Sequence, residues 1–283
     1  MKKLLILGKD GMLGNECFRV ISEYEGIEVI GTSRKKEGIR FQAGSDSLSQ
    51  LIESTNPDFV LNCIGVIKPS IEDTPKSIEN AVLINSALPY ELYKATVSKQ
   101  IKVFQIATDC VYSGLNQNNN ELSLHDPVDV YGKTKSLGEV SSDNFMQVRC
   151  SIVGNEINHK KSLFEWFKNQ PVGAKVNGYV NHHWNGVTTK LFAELVAGVI
   201  VSNQFLPGKH HLVPKNSVNK HELLNIFGKV TARSDILIEP YETETPVFRN
   251  ISTIYPEINE KLWSIAGYGE IPSIEDLILK KLH

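Results

Sequence analysis

The N-terminal end of the chain constrains the fold more than any other stretch. Its apolar run, Leu4 to Leu7, is short and continuous, as is typical of a strand that is buried on both faces. The run ends at Gly8, the first of three glycines in the motif GKDGMLG. The apolar residues from Leu13 to Ile21 then recur at helical spacing. The stretch therefore predicts a buried strand, a tight turn and a helix in direct succession.

The same alternation of strand and helix continues over the first half of the chain. Apolar segments predict further strands at residues 28–32, 39–43, 58–64, 103–108 and 147–153. Residues 71–99 are predicted to be mostly helical, with Pro89 either interrupting the helix or starting a new one. Near-continuous apolar strands between helices indicate a parallel sheet that is covered on both faces. We therefore expect an α/β fold with a doubly wound parallel sheet.

The pattern changes after residue 153. An apolar helix is predicted at residues 189–201 and a further strand at 209–214, whereas residues 238–256, rich in Glu and Pro, predict loops and short helices. We predict a dinucleotide-binding domain and a smaller substrate-binding region. The first comprises residues 1–152 with a later contribution near 190–214, and the second comprises residues 153–189 and 215–283.

Composition and charge argue against several function classes. The 283 residues carry a formal net charge of −2, so we expect neither a nucleic acid nor a membrane as a partner. The four cysteines form no CxxC pair and the paired histidines lack helical partners, so no metal is expected. The apolar N-terminal run is too short for a secretory signal, and no stretch is long enough to span a membrane. We expect a cytoplasmic protein.

The glycine motif between the first strand and helix is suited to a dinucleotide. The glycines permit a tight turn, a close approach of the backbone to phosphate and close packing of helix on strand. The start of the helix supplies unpaired N–H groups and a partial positive charge for a pyrophosphate. The alternative, a plain turn, is less favoured because the motif lies directly between a strand and a helix. The predicted cofactor-binding residues of this loop are Gly8, Gly11, Met12, Leu13 and Gly14.

The end of the second predicted strand bears on the choice of dinucleotide. NAD-preferring sites usually present a carboxylate there to the ribose 2′-hydroxyl, whereas this chain has the sequence TSRKK. The hydroxyl of Ser33 and the guanidinium of Arg34 suit a 2′-phosphate, and Lys35 or Lys36 would add attraction. The alternative is a solvated basic loop. We expect NADPH as the cofactor and leave NADH open.

Tyr131 and Lys135, in the sequence YGKTK, are spaced by one helical turn. The pair either forms part of an exposed helix face or converges on one site. A phenol has a reference pKa of about 10. We expect the Lys135 ammonium and an oxidised nicotinamide ring to lower the pKa of Tyr131. Thr108 ends a predicted strand at the edge where α/β sheets bind ligands, so its hydroxyl is suited to hold a substrate oxygen.

Several segments resemble the extended short-chain dehydrogenase/reductase family, in particular its dTDP-4-dehydrorhamnose reductase group, over nearly the full length. These segments are GKDGMLG, NCIG, INSALP, TDCVYSG, YGKTKSLGE, VRCSIVG and WNGVTT. The resemblance implies a Rossmann fold whose cofactor is lined by Asn62, Cys63, Ile64, Gly65 and Asn85. It also implies that Tyr131 is the acid/base, that Lys135 binds the nicotinamide ribose and tunes Tyr131, and that Thr108 orients the substrate. Asp109, Cys110 and Trp184 are expected beside the substrate.

Two departures from the family pattern bear on the substrate. Cys110 stands where many rhamnose-pathway reductases have tyrosine, and Val187 replaces a common proline, so the sugar itself is left open. The related dehydratases follow their threonine with Asp-Glu, whereas Asp109 is followed here by Cys110, which argues against elimination of water. We expect a structural role for Asp109. A role for Cys110 as an epimerase-like base is less favoured than that of a small semi-buried residue.

The C-terminal half offers weaker candidates for substrate contacts. A substrate pyrophosphate has possible partners in Arg149, Lys160, Lys161, Lys175 and Arg249, although such lysines are mostly solvated. The candidates for stacking on a base or sugar are Trp166, Tyr179 and Trp184, with Trp166 expected in the core.

The expected function is NADPH-dependent reduction of a keto group, at C4, of a nucleotide-activated deoxysugar in surface polysaccharide precursor synthesis. The first alternative is a nucleotide-sugar epimerase with tightly bound NAD. The second is a non-catalytic, cofactor-binding regulatory subunit. The sequence leaves a homodimer open.

Overall fold

The computed structural model describes residues 1–34, 38–157 and 162–282. Lys35 and Lys36, predicted to attract a 2′-phosphate, lie outside the described residues. The same is true of Lys160 and Lys161, two of the candidates for a substrate pyrophosphate.

A seven-stranded parallel sheet is the centre of the molecule. The strands of the described residues are β1 (Lys2–Leu7), β2 (Ile27–Ser33), β3 (Ile39–Arg40), β4 (Phe59–Asn62), β5 (Lys102–Ala107), β6 (Phe145–Arg149), β7 (Ile152–Val153), β8 (Lys175–Tyr179), β9 (His182–Trp184), β10 (Val187–Thr188), β11 (Gly208–His211), β12 (Val218–Asn219), β13 (Leu237–Tyr241) and β14 (Val247–Arg249). The central sheet has the order β3-β2-β1-β4-β5-β6-β11, and every neighbouring pair is parallel. The chain builds outward from β1 to β3 and then returns past β1 to build β4 to β6, which is the doubly wound order. The predicted fold class is confirmed.

Helices cover both faces of this sheet. They are α1 (Met12–Ile21), α2 (Leu48–Thr55), α3 (Pro75–Ala81), α4 (Leu88–Thr96), α5 (Val130–Leu137), α6 (Leu163–Lys168), α7 (Thr189–Ser202), α8 (Lys220–Thr231), α9 (Pro256–Ile265) and α10 (Ile274–Lys281). Because side chains alternate along a strand, Leu4 and Ile6 of β1 join one core with α1, α7 and α9. Leu5 and Leu7 point the other way and join a second core with α2 and α4. At 14 residues, α7 is the longest of these helices, and none of the described helices is long and apolar enough to cross a membrane.

The residues beyond 153 build a smaller region around a third core. In this region β8 pairs with β13, and β9 lies between β12 and β14. The core contains the rings of Phe164 and Phe167 on α6, which pack against Phe227 on α8. Part of this stretch returns to the central sheet, because α7 covers one face and β11 pairs with β6.

Two local predictions differ from the structure, whereas the mostly helical stretch predicted at 71–99, with Pro89 at the start of a new helix, is confirmed. The strand predicted at 147–153 leaves the central sheet after Arg149, and β7 then pairs with β10. Residues 238–256 contribute to β13 and β14 instead of loops and helices alone; these strands are short and β13 contains Pro240, so they lack a clear strand pattern. The helix predicted at 71–99 divides into α3 and α4, joined by a π-helical turn at Val82–Ala87, and Pro89 lies in the first turn of α4.

Candidate active site

The candidate active site lies at the carboxyl ends of β1, β4 and β5, which are adjacent in the central sheet. A glycine loop follows β1, an irregular segment follows β4, and a 3₁₀ turn at Asp109–Val111 follows β5. Helix α5 packs against both this turn and the π-helical turn. Ligands of parallel α/β sheets bind at this edge, because the loops there converge.

The glycine loop has the shape that a pyrophosphate needs. Gly8 has a φ of +80°, a conformation that glycine adopts without strain. A Cβ on Gly14 would lie 2.1 Å from the Gly8 carbonyl oxygen, so α1 can pack this closely on the loop only with glycine there. Gly11 caps α1 without a side-chain hydrogen bond from any described residue. The first N–H groups of α1 are thus available to an anion, as dinucleotide binding requires.

Asp10 lies beside the end of β2 and was not predicted as a site residue. The Ser33 hydroxyl donates a hydrogen bond to the Asp10 carboxylate, which also pairs with the Lys9 ammonium at 3.0 Å. Arg34 follows with an exposed side chain. A carboxylate suits ribose hydroxyls and a guanidinium suits a 2′-phosphate, so this end combines features of NAD and NADP sites. The sequence motif missed Asp10 because it is 23 residues away from Ser33 in the chain.

Asn62 shapes the segment that follows β4. Its buried side chain donates to the side-chain oxygen of Gln105 at 2.9 Å and accepts from the Ile64 N–H at 3.1 Å. The next residue, Cys63, is partly buried, and Gly65 is exposed at the edge of the sheet. Asn62 therefore positions the loop, while the backbone of the residues after it borders the site.

Asn85 joins this loop to α5. Its side chain accepts from the Val66 N–H and donates to the Val66 carbonyl, both at 2.9 Å, and it also donates to the Thr134 hydroxyl at 3.1 Å. The neighbouring Ser86 donates to the Thr134 carbonyl at 2.7 Å. Both residues belong to the π-helical turn, a local irregularity that is frequent at functional sites. The structure gives Asn85 a positioning role toward the predicted cofactor loop.

Two glycines bring α5 close to its surroundings. A Cβ on Gly132 would lie 2.2 Å from the Cys110 carbonyl oxygen, and one on Gly138 would lie 1.9 Å from the Asn85 carbonyl oxygen. The N-terminus of the helix is capped by Asp129, which accepts from the Gly132 N–H at 2.8 Å. The small residues between and after Tyr131 and Lys135 in the sequence thus have a packing reason.

The phenol of Tyr131 lies close enough to the Thr108 hydroxyl for that hydroxyl to influence its pKa. Burial raises the pKa of Tyr131 above its usual value, and the charges of Cys110 and Asp109 raise it further, against a lowering by Thr108. The expected lowering of this pKa by Lys135 is therefore wrong for the protein alone, because desolvation of the phenolate outweighs the nearby charge. At neutral pH Tyr131 holds its proton.

Lys135 reaches the same edge of the sheet. Its Nζ donates to the Ile106 carbonyl at 3.0 Å, at the end of β5. Burial lowers the pKa of Lys135 to about 8, and the charges of Glu139, Cys63 and Cys110 act in the opposite direction. Thr108, Tyr131 and Lys135, called the catalytic cluster below, therefore surround the turn that carries Cys110.

Asp109 and Cys110, the two residues after Thr108, are not expected to take part in the chemistry. Burial and the neighbouring Asp109 raise the pKa of the Cys110 thiol to about 12, so a thiolate base is disfavoured at neutral pH. Asp109 is buried, accepts from the Thr108 hydroxyl at 3.3 Å and has its pKa raised chiefly by burial. Its position behind Thr108 agrees with the expected structural role.

A second polar cluster, the Arg149 network, lies at the C-terminal end of α5. It consists of Arg149, Glu139, His125, His211 and Tyr112. Arg149 is 2% exposed and donates to both Glu139 carboxylate oxygens at 2.7 Å. It also donates to the Tyr112 hydroxyl at 2.8 Å and contacts ring nitrogens of His211 and His125 at 2.6 and 3.0 Å. All its donors are engaged, so the prediction that Arg149 meets a pyrophosphate is wrong.

The other described cations on that prediction are also engaged. Arg249 donates to the backbone carbonyls of Tyr112 and Ser113 at 2.8 and 3.3 Å. Lys175 is exposed and lies 3.6 Å from the Glu239 carboxylate. Neither is a strong candidate for the principal anion-binding group of the site.

A cleft of about 560 Å³ opens in the smaller region, lined among others by Trp166, Asn177, Tyr179, His182 and Lys220. Its volume lies in the range of small-molecule sites. Trp166 is 42% exposed, so its predicted burial in the core is wrong. Lys220 belongs to no motif and was not predicted as a site residue.

Trp184, predicted to contact the substrate, is instead 4% exposed and belongs to the third core. A Cβ on Gly186 would lie 2.3 Å from the Trp184 ring, so the ring packs where only glycine leaves room. The tight turn WNG therefore buries the tryptophan, and the prediction for Trp184 is wrong.

Comparisons with known proteins agree with this geometry. The family profile described as the RmlD substrate binding domain matches residues 1–252. The chain belongs to this family. The predicted resemblance to the dTDP-4-dehydrorhamnose reductase group is thereby confirmed. Among solved structures of similar fold is the dTDP-4-dehydrorhamnose reductase of Bacillus anthracis str. Ames in complex with NADP. The match has a TM-score of 0.79 at 18% identity and covers 99% of this chain and 98% of that chain.

The curated relatives of this RmlD family member match over a shorter stretch. The spore coat polysaccharide biosynthesis protein SpsK of Bacillus subtilis (strain 168) is 34% identical over 142 residues, which are 49% of this chain and 47% of SpsK. Methionine adenosyltransferase 2 subunit beta of Xenopus tropicalis is 25% identical over 142 residues, or 49% of this chain and 42% of that protein. The chain thus spans about half the length of the curated relatives it matches.

Proposed function

We propose that this protein catalyses the NADPH-dependent reduction of a keto group, at C4, of a nucleotide-activated deoxysugar. The observation that carries the proposal is the meeting of Thr108 and Tyr131 beside Lys135 at the carboxyl edge of the sheet, next to the glycine loop. Membership of the RmlD family supports the reaction class. The likeness to SpsK supports a role in polysaccharide precursor synthesis.

The chain's own residues have distinct tasks in this reaction. A nicotinamide held by the glycine loop would supply the hydride to the carbonyl carbon. Tyr131 holds a proton at neutral pH because burial raises its pKa, so it serves as the acid that protonates the carbonyl oxygen. The Thr108 hydroxyl, which lies close to the phenol, orients that oxygen. The product is an alcohol, and Tyr131 is left as a phenolate.

Lys135 stabilises this phenolate after proton transfer. Its ammonium lies near Cys110, which in turn borders Tyr131, so a negative charge on the phenol oxygen would be attracted to it. The same ammonium is directed to the sheet edge by the Ile106 carbonyl, where a nicotinamide ribose would lie. Burial makes this charge costly without a partner, which favours the binding of a polar cofactor group there.

Arg34 supports NADPH, whereas Asp10 supports NADH, and we propose NADPH as the principal cofactor. Arg34 is exposed and free to turn toward a 2′-phosphate, while Asp10 is already occupied by Lys9 and Ser33. A carboxylate that is neutralised in this way repels a phosphate less.

The test is a panel of dTDP-, UDP- and GDP-linked 4-keto-6-deoxysugars with NADPH and with NADH. We expect stoichiometric loss of the reduced-nicotinamide absorbance with one keto-sugar, and an alcohol at C4 in the product by NMR. Tyr131→Phe serves as the control. Substrate conversion without net consumption of reduced cofactor would identify an epimerase instead.

A second candidate is a cofactor-binding subunit of another enzyme, favoured by the likeness to methionine adenosyltransferase 2 subunit beta. In that case the purified chain binds NADPH, turns over no keto-sugar and copurifies with a partner enzyme whose kinetics it changes. The intact catalytic cluster favours the reductase.

A further inference from the structure

Lys220 is a cation at the boundary between the cleft and the catalytic turn. It lines the cleft together with Trp166, Tyr179 and His182. Its ammonium is also close enough to Asp109 and Cys110 to interact with their charges. Lys220 therefore lies between the place where the reacting sugar would sit and the aromatic end of the cleft.

Lys220 differs from the other cations near the site by its lack of a partner. Arg149 and Arg249 are bound by protein oxygens, and Lys175 is exposed beside Glu239. Within residues 1–34, 38–157 and 162–282, no acceptor lies within hydrogen-bond or ion-pair distance of the Lys220 ammonium. Asp109 attracts it only from a longer distance.

Burying the Lys220 ammonium without a close partner costs free energy. Burial lowers the pKa of Lys220 to about 8, against a raising by the charges of Asp109 and Cys110, so the protein alone stabilises the charged form only incompletely. Lys220 occupies the first position of α8, directly after the Asn219 cap, and its partly buried side chain lines the cleft. An anionic ligand would remove the cost.

We infer that Lys220 binds the diphosphate of the nucleotide-sugar substrate. The inference rests on the proposed function and adds the residue that recognises the substrate's charge. In a nucleotide sugar the diphosphate is the group that links the sugar to the base. With the sugar at Thr108 and Tyr131 and the base among the rings of the cleft, Lys220 lies where the link must pass.

The first test measures binding without turnover. In Lys220→Met, which keeps the aliphatic stem, we expect the Kd of dTDP or UDP from calorimetry to rise by about 10- to 100-fold, as for the loss of a charge-assisted hydrogen bond. The Kd of NADPH changes by less than about twofold, because its pyrophosphate binds at the other loop. Thymidine and uridine, which carry no phosphate, bind both variants alike. Lys220→Arg restores most of the affinity.

Lys229→Met is the matched control. Lys229 lies on the same helix, pairs with Glu275 at the surface and does not line the cleft, so its loss removes the same charge without the contact. We expect its Kd for dTDP or UDP to match the parent within about twofold. Thermal unfolding of both variants shows whether either fails to fold, in which case Lys220→Arg and the pH dependence below carry the test.

The pH dependence separates a binding role from a structural one. In the parent protein, the Kd of dTDP or UDP should stay level up to about pH 8 and rise above it as free Lys220 loses its proton, and this rise should be absent in Lys220→Met. The titratable and charged groups near Lys220, namely Asp109, Cys110, Arg249 and His182, are the same in both proteins.

Two outcomes would overturn the inference. One is equal affinity of the parent and Lys220→Met for dTDP, UDP and GDP. The other is a loss confined to nucleotide-linked uronates, which would assign Lys220 to a sugar carboxylate. If the diphosphates bind through Lys220 but no keto-sugar is reduced, the proposed function fails and this inference stands.

Discussion

The catalytic cluster and the Arg149 network are neighbours, because Glu139 follows Lys135 by four residues and acts on its pKa, yet the buried polar groups of the two clusters have different hydrogen-bond environments. In the network every donor of Arg149 has an acceptor, and the Glu139 carboxylate is held by several cations. In the catalytic cluster, the Lys135 ammonium donates to one backbone carbonyl, and the Tyr131 phenol has the hydroxyl of one threonine, Thr108, beside it. A fully paired group fixes shape, whereas a buried group with spare capacity is prepared for a ligand.

The shifts in pKa show the same contrast. Glu139 is buried, which raises its pKa, but Arg149 and its hydrogen bonds outweigh burial and the net pKa is lowered, so the charged form is favoured. Lys135 and Lys220 are shifted by burial against their charged forms, and Tyr131 against its phenolate. The Arg149 network stabilises its own charged groups. The charged forms of Lys135, Lys220 and Tyr131 would instead be stabilised by the cofactor and the substrate.

The largest expected effect is on turnover, from the removal of one phenolic hydroxyl. Tyr131→Phe should lower kcat by about 10²- to 10⁴-fold because the proton donor is lost, with the Kd of NADPH and the free energy of unfolding nearly unchanged. Tyr112→Phe is the matched control: it removes the hydroxyl that bonds Arg149, so it should cost about 1–3 kcal/mol of stability and little of kcat. If the two variants behaved alike in both assays, the distinction between the clusters would be lost.

Breaking the network should act on stability first. Arg149→Met leaves the Glu139 carboxylate buried and without its main partner, so the free energy of unfolding should fall by about 3–5 kcal/mol in urea denaturation. The double variant with Glu139→Gln should recover part of the loss, because the unpaired charge is gone. Equal losses in the single and double variants would show that the pair is not the reason.

Acid should weaken the network. Burial, followed by the Arg149 charge, lowers the pKa of His211 from 6.5 to about 4, so the unfolded chain binds a proton at mildly acidic pH that the folded protein excludes. This stability is complete above pH 6.5 and falls as the pH drops toward 4, by about 2 kcal/mol between about pH 7 and pH 5. Urea denaturation at several pH values measures it. His211→Gln should flatten the profile, and an unchanged slope would assign it to other groups, such as His125.

The smallest effect is expected at an exposed charge that belongs to neither cluster. Arg34→Ser should raise the KM for NADPH by about tenfold or less and leave that for NADH within about twofold, because a solvated ion pair contributes little. Steady-state kinetics with both cofactors measures the ratio. An equal change for both cofactors would place Arg34 outside the 2′-phosphate site.

The sequence predicted the elements that depend on local pattern. The strand, glycine turn and helix at the N-terminus, and the spacing of Tyr131 and Lys135, follow from periodicities and motifs that lie within a few residues. Contacts between distant segments were not predictable in this way. Glu139 is ten residues from Arg149, so their pairing could not be read from charge alone. Lys220 and Asp109 lie on different regions, and only the fold brings them together.

Burial was the other quantity that sequence pattern did not supply. The aromatic residues Trp166 and Trp184 exchange their expected places, because α6 turns Phe164 and Phe167 inward and leaves Trp166 in the cleft. The pKa of Tyr131 was expected to fall from the presence of Lys135, but desolvation, which depends on the packed environment, dominates it.

The π-helical turn at Val82–Ala87 is bonded both to the segment that follows β4 and to α5. Asn85 forms hydrogen bonds with the backbone of Val66, beside the predicted cofactor. Asn85 and Ser86 both donate to Thr134, in the middle of α5, the helix that carries Tyr131. In the proposed reaction, the hydride donor and the acid Tyr131 would both be positioned through this turn. The distance between them would then depend on the fold of the turn and not on the sugar that enters.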